Sequence, residues 1–154
     1  MSSTNSALLD DLIVRPHHTA LCIENFDAAQ SFFCDVLGMR VENEADQRDE
    51  EGLGIVTGLP GAVVRWAMLE RNGYRLELFK YYQPEGRTVN IRQCDRGLTH
   101  IAFEVSDVDD ACWRVRNAGH ETYSDPQNLR GGATRPVYVK GPEGIVVELI
   151  EFRQ

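Results

Sequence analysis

Gly97-Leu98-Thr99-His100-Ile101-Ala102-Phe103-Glu104-Val105-Ser106-Asp107 is the stretch on which the fold turns. Ile101, Phe103 and Val105 alternate with His100, Ala102 and Glu104, which is the period of a strand with one apolar face and one face opened by a histidine. One histidine on a strand carries little functional signal by itself. The stretch, however, occurs twice. Sliding the chain by 82 residues lays His18-Thr19-Ala20-Leu21-Cys22-Ile23 on His100-Ile101-Ala102-Phe103-Glu104-Val105, with Asp27 falling on Asp109 and Ala29 on Ala111.

The segments that follow each copy also match. After the first, Asn25 precedes an amphipathic helix from Phe26 to Leu37, with Phe26, Ala29, Phe33, Val36 and Leu37 at helical spacing and Gly38 as a stop. After the second, Val108 to Ala118 reads as another capped helix ending at Gly119. Further on, a slide of 71 residues lays Gly73-Tyr74-Arg75-Leu76-Glu77-Leu78 on Gly144-Ile145-Val146-Val147-Glu148-Leu149. Both glutamates therefore sit mid-strand between apolar neighbours.

The remaining segments complete two βαβββ modules, at about 15–83 and 97–153, and an α+β fold. In the first module a strand over Met39–Ala45 leads into a solvated acidic loop, Glu42 to Glu51, and the Gly-rich segment Gly52–Gly61, with Pro60, reads as a lid or a pocket rim. Strands over Val63–Leu69 and Tyr74–Phe79 are joined by Arg71-Asn72-Gly73, where Asn-Gly predicts a tight hairpin. In the second, strands are expected over His120–Tyr123, Pro136–Lys140 and Ile145–Phe152. Met1 to about Asp11 reads as a loose tail, and residues 12–154 as a single domain.

Composition narrows the function. A formal charge of −8 argues against a nucleic-acid backbone or an anionic membrane surface as partner. No apolar run approaches the length of a membrane span, and the N-terminus has no secretion-signal pattern, so a cytoplasmic location is expected. Cys22, Cys34, Cys94 and Cys112 lack Cys-x-x-Cys spacing and read as reduced thiols, with Cys22 as a small buried side chain.

Carboxylates are rarely buried without compensation, so Glu77 and Glu148 need positive partners. Arg75 shares a face with Glu77 and offers one such partner, but the matching position in the second half is Val146. Two histidines at strand starts and two glutamates at strand centres, related by a pseudo-two-fold axis, would form an N₂O₂ set around one divalent cation. His17 should point away from His18 by strand alternation.

On these residues the chain resembles the vicinal oxygen chelate superfamily, which includes glyoxalase I, methylmalonyl-CoA epimerase, extradiol dioxygenases and glyoxalase-like antibiotic-resistance proteins. The carriers are His18, Phe26-Asp27-Ala28-Ala29, Phe33 to Gly38, Leu76-Glu77-Leu78, His100 to Val105, and Gly141-Pro142-Glu143-Gly144 before Glu148-Leu149. The resemblance implies a mixed sheet curled around one divalent ion (Ni, Co, Zn, Mn or Fe) held by His18, Glu77, His100 and Glu148, in a homodimer acting on a small molecule. The His-Glu-His-Glu set is similar to that of bacterial glyoxalase I. Epimerases usually carry Gln where this chain has Glu77, and Trp66 stands where they place a catalytic glutamate.

The reaction so implied is that of an isomerase or lyase of the glyoxalase or epimerase type. Its metal polarises a carbonyl and stabilises an enediolate while Glu148 first, or Glu77 second, takes the α-proton. Trp66, Arg65, Arg75 and Tyr138 are the candidate substrate contacts, although Trp66 could equally fill core. An Fe(II) extradiol dioxygenase is the alternative, disfavoured because such enzymes commonly carry a further two-module domain. An antibiotic-binding protein is a second alternative, disfavoured because those members tend to lack the metal set.

Overall fold

The computed structural model describes residues 7–153; the first six residues of the expected tail lie outside the described residues. From Ala7 the chain makes a short turn, in which the amides of Asp10 and Leu12 donate to the carbonyls of Ala7 and Leu9. The first module runs β1 (Thr19–Cys22), α1 (Phe26–Ser31), β2 (Arg40–Arg48), α2 (Glu51–Thr57), β3 (Val63–Arg71) and β4 (Tyr74–Gln83). The second runs β5 (Ile101–Glu104), α3 (Val108–Asn117), β6 (Thr134–Lys140) and β7 (Val146–Phe152). Two mixed sheets result, ordered β1-β4-β3-β2 and β5-β7-β6.

The repeat seen in sequence is a repeat in register. β1 pairs parallel to β4 with Ala20 opposite Glu77, and β5 pairs parallel to β7 with Ala102 opposite Glu148. The hairpin is also as expected, since β3 and β4 end on the pair Arg71 and Tyr74, with Asn72 at φ 49° and Gly73 at φ 84°. That double left-handed turn is the one whose twist suits paired strands, and Asn-Gly tolerates it.

Three expectations are corrected. The Gly52–Gly61 loop is in part the helix α2, which Gly58 stops at φ 71°. The acidic stretch is largely strand, because β2 reaches Arg48 and pairs along β3. The strand expected at His120–Tyr123 shrinks to one bridge, Thr122 opposite Val139. There Arg116 takes the Thr122 hydroxyl as an acceptor, and that hydroxyl donates in turn to the Ser124 carbonyl, which bends the chain away from the sheet edge. The first helix also changes pitch, its α-turns ending at Ser31 and a π-turn covering Phe32–Val36.

One core joins the modules. Leu76 and Leu78 of β4 and Val147 and Leu149 of β7 pack inward with Phe33, Phe26, Val108 and Cys112 of the helices. At the junction Phe32 meets His120 edge-on at 5.0 Å, and the Glu143 carboxylate accepts from the amides of Glu24 (2.9 Å) and Asn25 (2.8 Å). Phe33 is 0% exposed in this core. Phe33→Ala is therefore expected to lower unfolding free energy by about 3–5 kcal/mol, read by urea denaturation. An effect under about 1 kcal/mol would show that the core can close over the gap. Among the described residues no helix is long and apolar enough to cross a membrane, and all four cysteines are free, Cys22 being exposed rather than buried.

Candidate metal centre

Because Leu76 and Leu78 face the core, Glu77 between them must face the other way, and Glu148 is turned outward by Val147 and Leu149 in the same manner. Each glutamate meets the histidine that lies two residues ahead of its paired alanine. His18 Nε2 is 2.9 Å from Glu77 Oε2, and His100 Nε2 is 3.3 Å from Glu148 Oε2. The carboxyl side chains are only 15% and 14% exposed, whereas the imidazoles are 36% and 31% exposed. The part-buried glutamates thus find their partners in the histidines, and the more open side of each pair is the imidazole side.

The outer nitrogens of both rings are held. His17 Nδ1 lies 2.8 Å from His18 Nδ1, so one of the two donates to the other. This corrects the expectation that His17 points away: both residues precede β1, where strand alternation does not apply. On the other side, Gln93 Nε2 donates to the Thr99 carbonyl (3.0 Å), which fixes the amide so that Gln93 Oε1 faces His100 Nδ1 at 2.9 Å. An amide oxygen only accepts, so Nδ1 donates to it and the ring is oriented with Nε2 facing Glu148. Gln93 sits in the connection between modules, where no periodicity or spacing marked it.

Two of the four candidate substrate contacts lie beside these pairs. Trp66 Nε1 donates to Glu77 Oε1 at 2.6 Å. Tyr138 pairs across from Glu148, and its ring lies 5.0 Å from that of His100. Burial, and secondarily the charge of Glu148, pushes the Tyr138 hydroxyl above its usual range, so it stays protonated as a donor. Arg65 lies instead on the α1 side of β3, paired to Asp27 at 2.9 Å and stacked over the Phe26 ring at 4.2 Å. Arg75 grips Glu42 with two bonds of 2.7 and 2.8 Å, so the expected Arg75–Glu77 pair is not formed.

Imidazole nitrogen and carboxyl oxygen are the donors that first-row divalent ions take, at about 2.0–2.2 Å, and two such donors at a right angle around one ion stand about 3 Å apart. The separations of 2.9 and 3.3 Å fit that spacing in both modules. Yet among the described residues no group of three or more His, Cys, Asp or Glu converges as a cation site. Within one chain the four candidate ligands stand as two matched pairs, one in each module. The reason is the packing: the modules meet through the faces that carry leucine and valine, which leaves both pairs on outward faces.

Comparison with known proteins agrees with this architecture. The profile of the Glyoxalase/Bleomycin resistance protein/Dioxygenase superfamily matches residues 15–149. A 2-epi-5-epi-valiolone epimerase of an Actinomyces species is 34% identical over 147 residues, covering 90% of this chain and 80% of that one. The lactoylglutathione lyase of Haemophilus influenzae is 28% identical over 138 residues, covering 87% and 90%. Among solved structures, a glyoxalase family protein from Bacillus cereus superposes with a TM-score of 0.83 at 25% identity, covering 99% of this chain and 100% of its own.

Proposed function

Since this chain belongs to the Glyoxalase/Bleomycin resistance protein/Dioxygenase superfamily, we propose that it is a divalent-metal-dependent isomerase, epimerase or lyase that moves a proton α to a carbonyl of a small molecule. The observation that carries the reading is the pair of matched imidazole–carboxyl half-sites at His18–Glu77 and His100–Glu148. Relatives named as an epimerase and a lactoylglutathione lyase support it.

Each half-site supplies two ligands, and both face outward, so a second copy of the chain is the natural source of the other two. A two-fold dimer that sets the first module of one chain against the second module of its partner completes two equivalent His₂Glu₂ centres. A bound cation there supplies electrophilic polarisation of the carbonyl oxygen. The protein's own groups do the rest. Glu148 takes the α-proton and returns it, Tyr138 donates toward the substrate oxygens, and His18, His100 and Glu77 keep the centre in place.

The test is to incubate protein prepared with Ni²⁺, Co²⁺, Mn²⁺, Zn²⁺ or Fe²⁺ in D₂O with 2-epi-5-epi-valiolone and with lactoylglutathione, the compounds in the relatives' names. The expected results are a metal-dependent rise in melting temperature and deuterium at the carbon beside the carbonyl, without oxygen uptake. Protein that neither holds nor is stabilised by any of these ions overturns the centre. Oxygen uptake with a catechol points to the dioxygenase reading, and a ligand held tightly but left unexchanged points to a binding protein.

A further inference from the structure

The two half-sites are not chemically equal. Glu77 has both carboxyl oxygens occupied, Oε2 by His18 at 2.9 Å and Oε1 by the Trp66 indole at 2.6 Å. The indole is itself backed by the Arg48 guanidinium, 5.2 Å from the ring centroid. In register, Met68 stands opposite Glu77 and Trp66 opposite Phe79, two residues on; in the second module Tyr138 stands opposite Glu148 and Pro136 opposite Ile150, again two residues on. The counterpart of Trp66 is therefore a proline, which has no donor to offer. Among the described residues Glu148 has no hydrogen-bond donor on its Oε1, and its contact with His100 is the longer of the two, at 3.3 Å.

We infer that Trp66 is a positioning residue: its indole N–H holds Glu77 in a single-oxygen ligand pose and makes an otherwise symmetric centre one-sided. The inference rests on the cation reading above. It assigns to Trp66 neither core filling nor substrate contact but control of one carboxyl group. A charge-accepting oxygen held by a donor at 2.6 Å cannot swing to meet a substrate carbon without breaking that bond, whereas Glu148 has no such restraint. Outer-sphere partners of this kind orient ligands, and their removal typically costs 10- to 100-fold in metal affinity.

Mn²⁺ alone serves as the probe in the full-length chain. The sequence holds two tryptophans, and Trp113 is 65% exposed on α3, so Trp113→Phe leaves Trp66 as the sole tryptophan emitter. Paramagnetic Mn²⁺ is expected to quench that emission as it binds; emission that stays constant while Mn²⁺ binds overturns the inference even if other variants fold poorly. Trp66→Phe is then compared in two backgrounds by equilibrium dialysis. With Glu77 present, Mn²⁺ affinity should fall about tenfold or more. In a Glu77→Ala background the same substitution should change affinity less than about twofold, because Trp66 acts only through Glu77. Equal losses in both backgrounds, or none in either, refute the role. If the unmodified chain binds no Mn²⁺, the cation centre itself fails and this inference falls with it.

Discussion

Two chains that each lack a working centre are expected to recover one when mixed. In a His18→Ala/Glu77→Ala chain the first half-site is gone, and in a His100→Ala/Glu148→Ala chain the second. Within either homodimer every centre retains two ligands at most. Refolded together in equal amounts, half of the dimers pair one chain of each kind. Each mixed dimer then joins the intact first module of one chain to the intact second module of the other, so Mn²⁺ bound at full affinity should return to about a quarter of the wild-type level. The expectation follows from the outward direction of both pairs and from the absence, among the described residues, of any converging group of three such ligands. A centre assembled inside one chain gives no recovery at all. Equilibrium dialysis against Mn²⁺ reads the difference, and a mixture equal to the average of its parents rules out the shared centre.

The direction in which the two pairs face is also where sequence reasoning stopped short. The repeat was legible because two βαβββ modules must keep the same strand order, and the registers Ala20–Glu77 and Ala102–Glu148 bear it out. The four candidate positions were legible from the same alignment, but which histidine meets which glutamate was not. What the repeat does not encode is which faces of the two modules meet. That depends on the summed burial of Leu76, Leu78, Val147, Leu149 and the helix aromatics, a competition between faces that no local period reports.

The same holds for partner choice. Arg75 lies on the face of Glu77, but Glu42 on the adjoining β2 offers a bidentate carboxylate, and the indole of Trp66 reaches Glu77 instead. Gln93 was invisible because its one task, to accept from His100, requires only that a loop return to a particular place. α2 was missed for a local reason: Gly52 and Gly54 lower its helix propensity, and only the close backbone packing of Gly54 against the carbonyl of Leu59 and the amide of Gly61 explains why a glycine is kept there. His17 shows the smallest error, a strand rule applied two residues before the strand begins.

Glu148→Gln should separate holding the ion from moving the proton. The amide keeps the size of the carboxyl group and an oxygen that can still face a cation, but it has no basic site for an α-proton. Deuterium exchange into substrate is therefore expected to fall by about 10²–10⁴, the usual contribution of a positioned base. Mn²⁺ affinity should fall by a smaller factor. Glu77→Gln makes the comparison informative, because its oxygen is already bonded to the Trp66 indole and an amide oxygen can accept the same bond. Exchange should then survive within about tenfold, even where Mn²⁺ binds less tightly. The two substitutions remove the same charge from half-sites with matching register, so any difference between them must come from what surrounds each carboxyl group: an indole donor and a methionine on one side, a proline and a protonated tyrosine on the other. If the two variants lose exchange equally, Glu148 is not the base and the proton is carried by a group common to both halves.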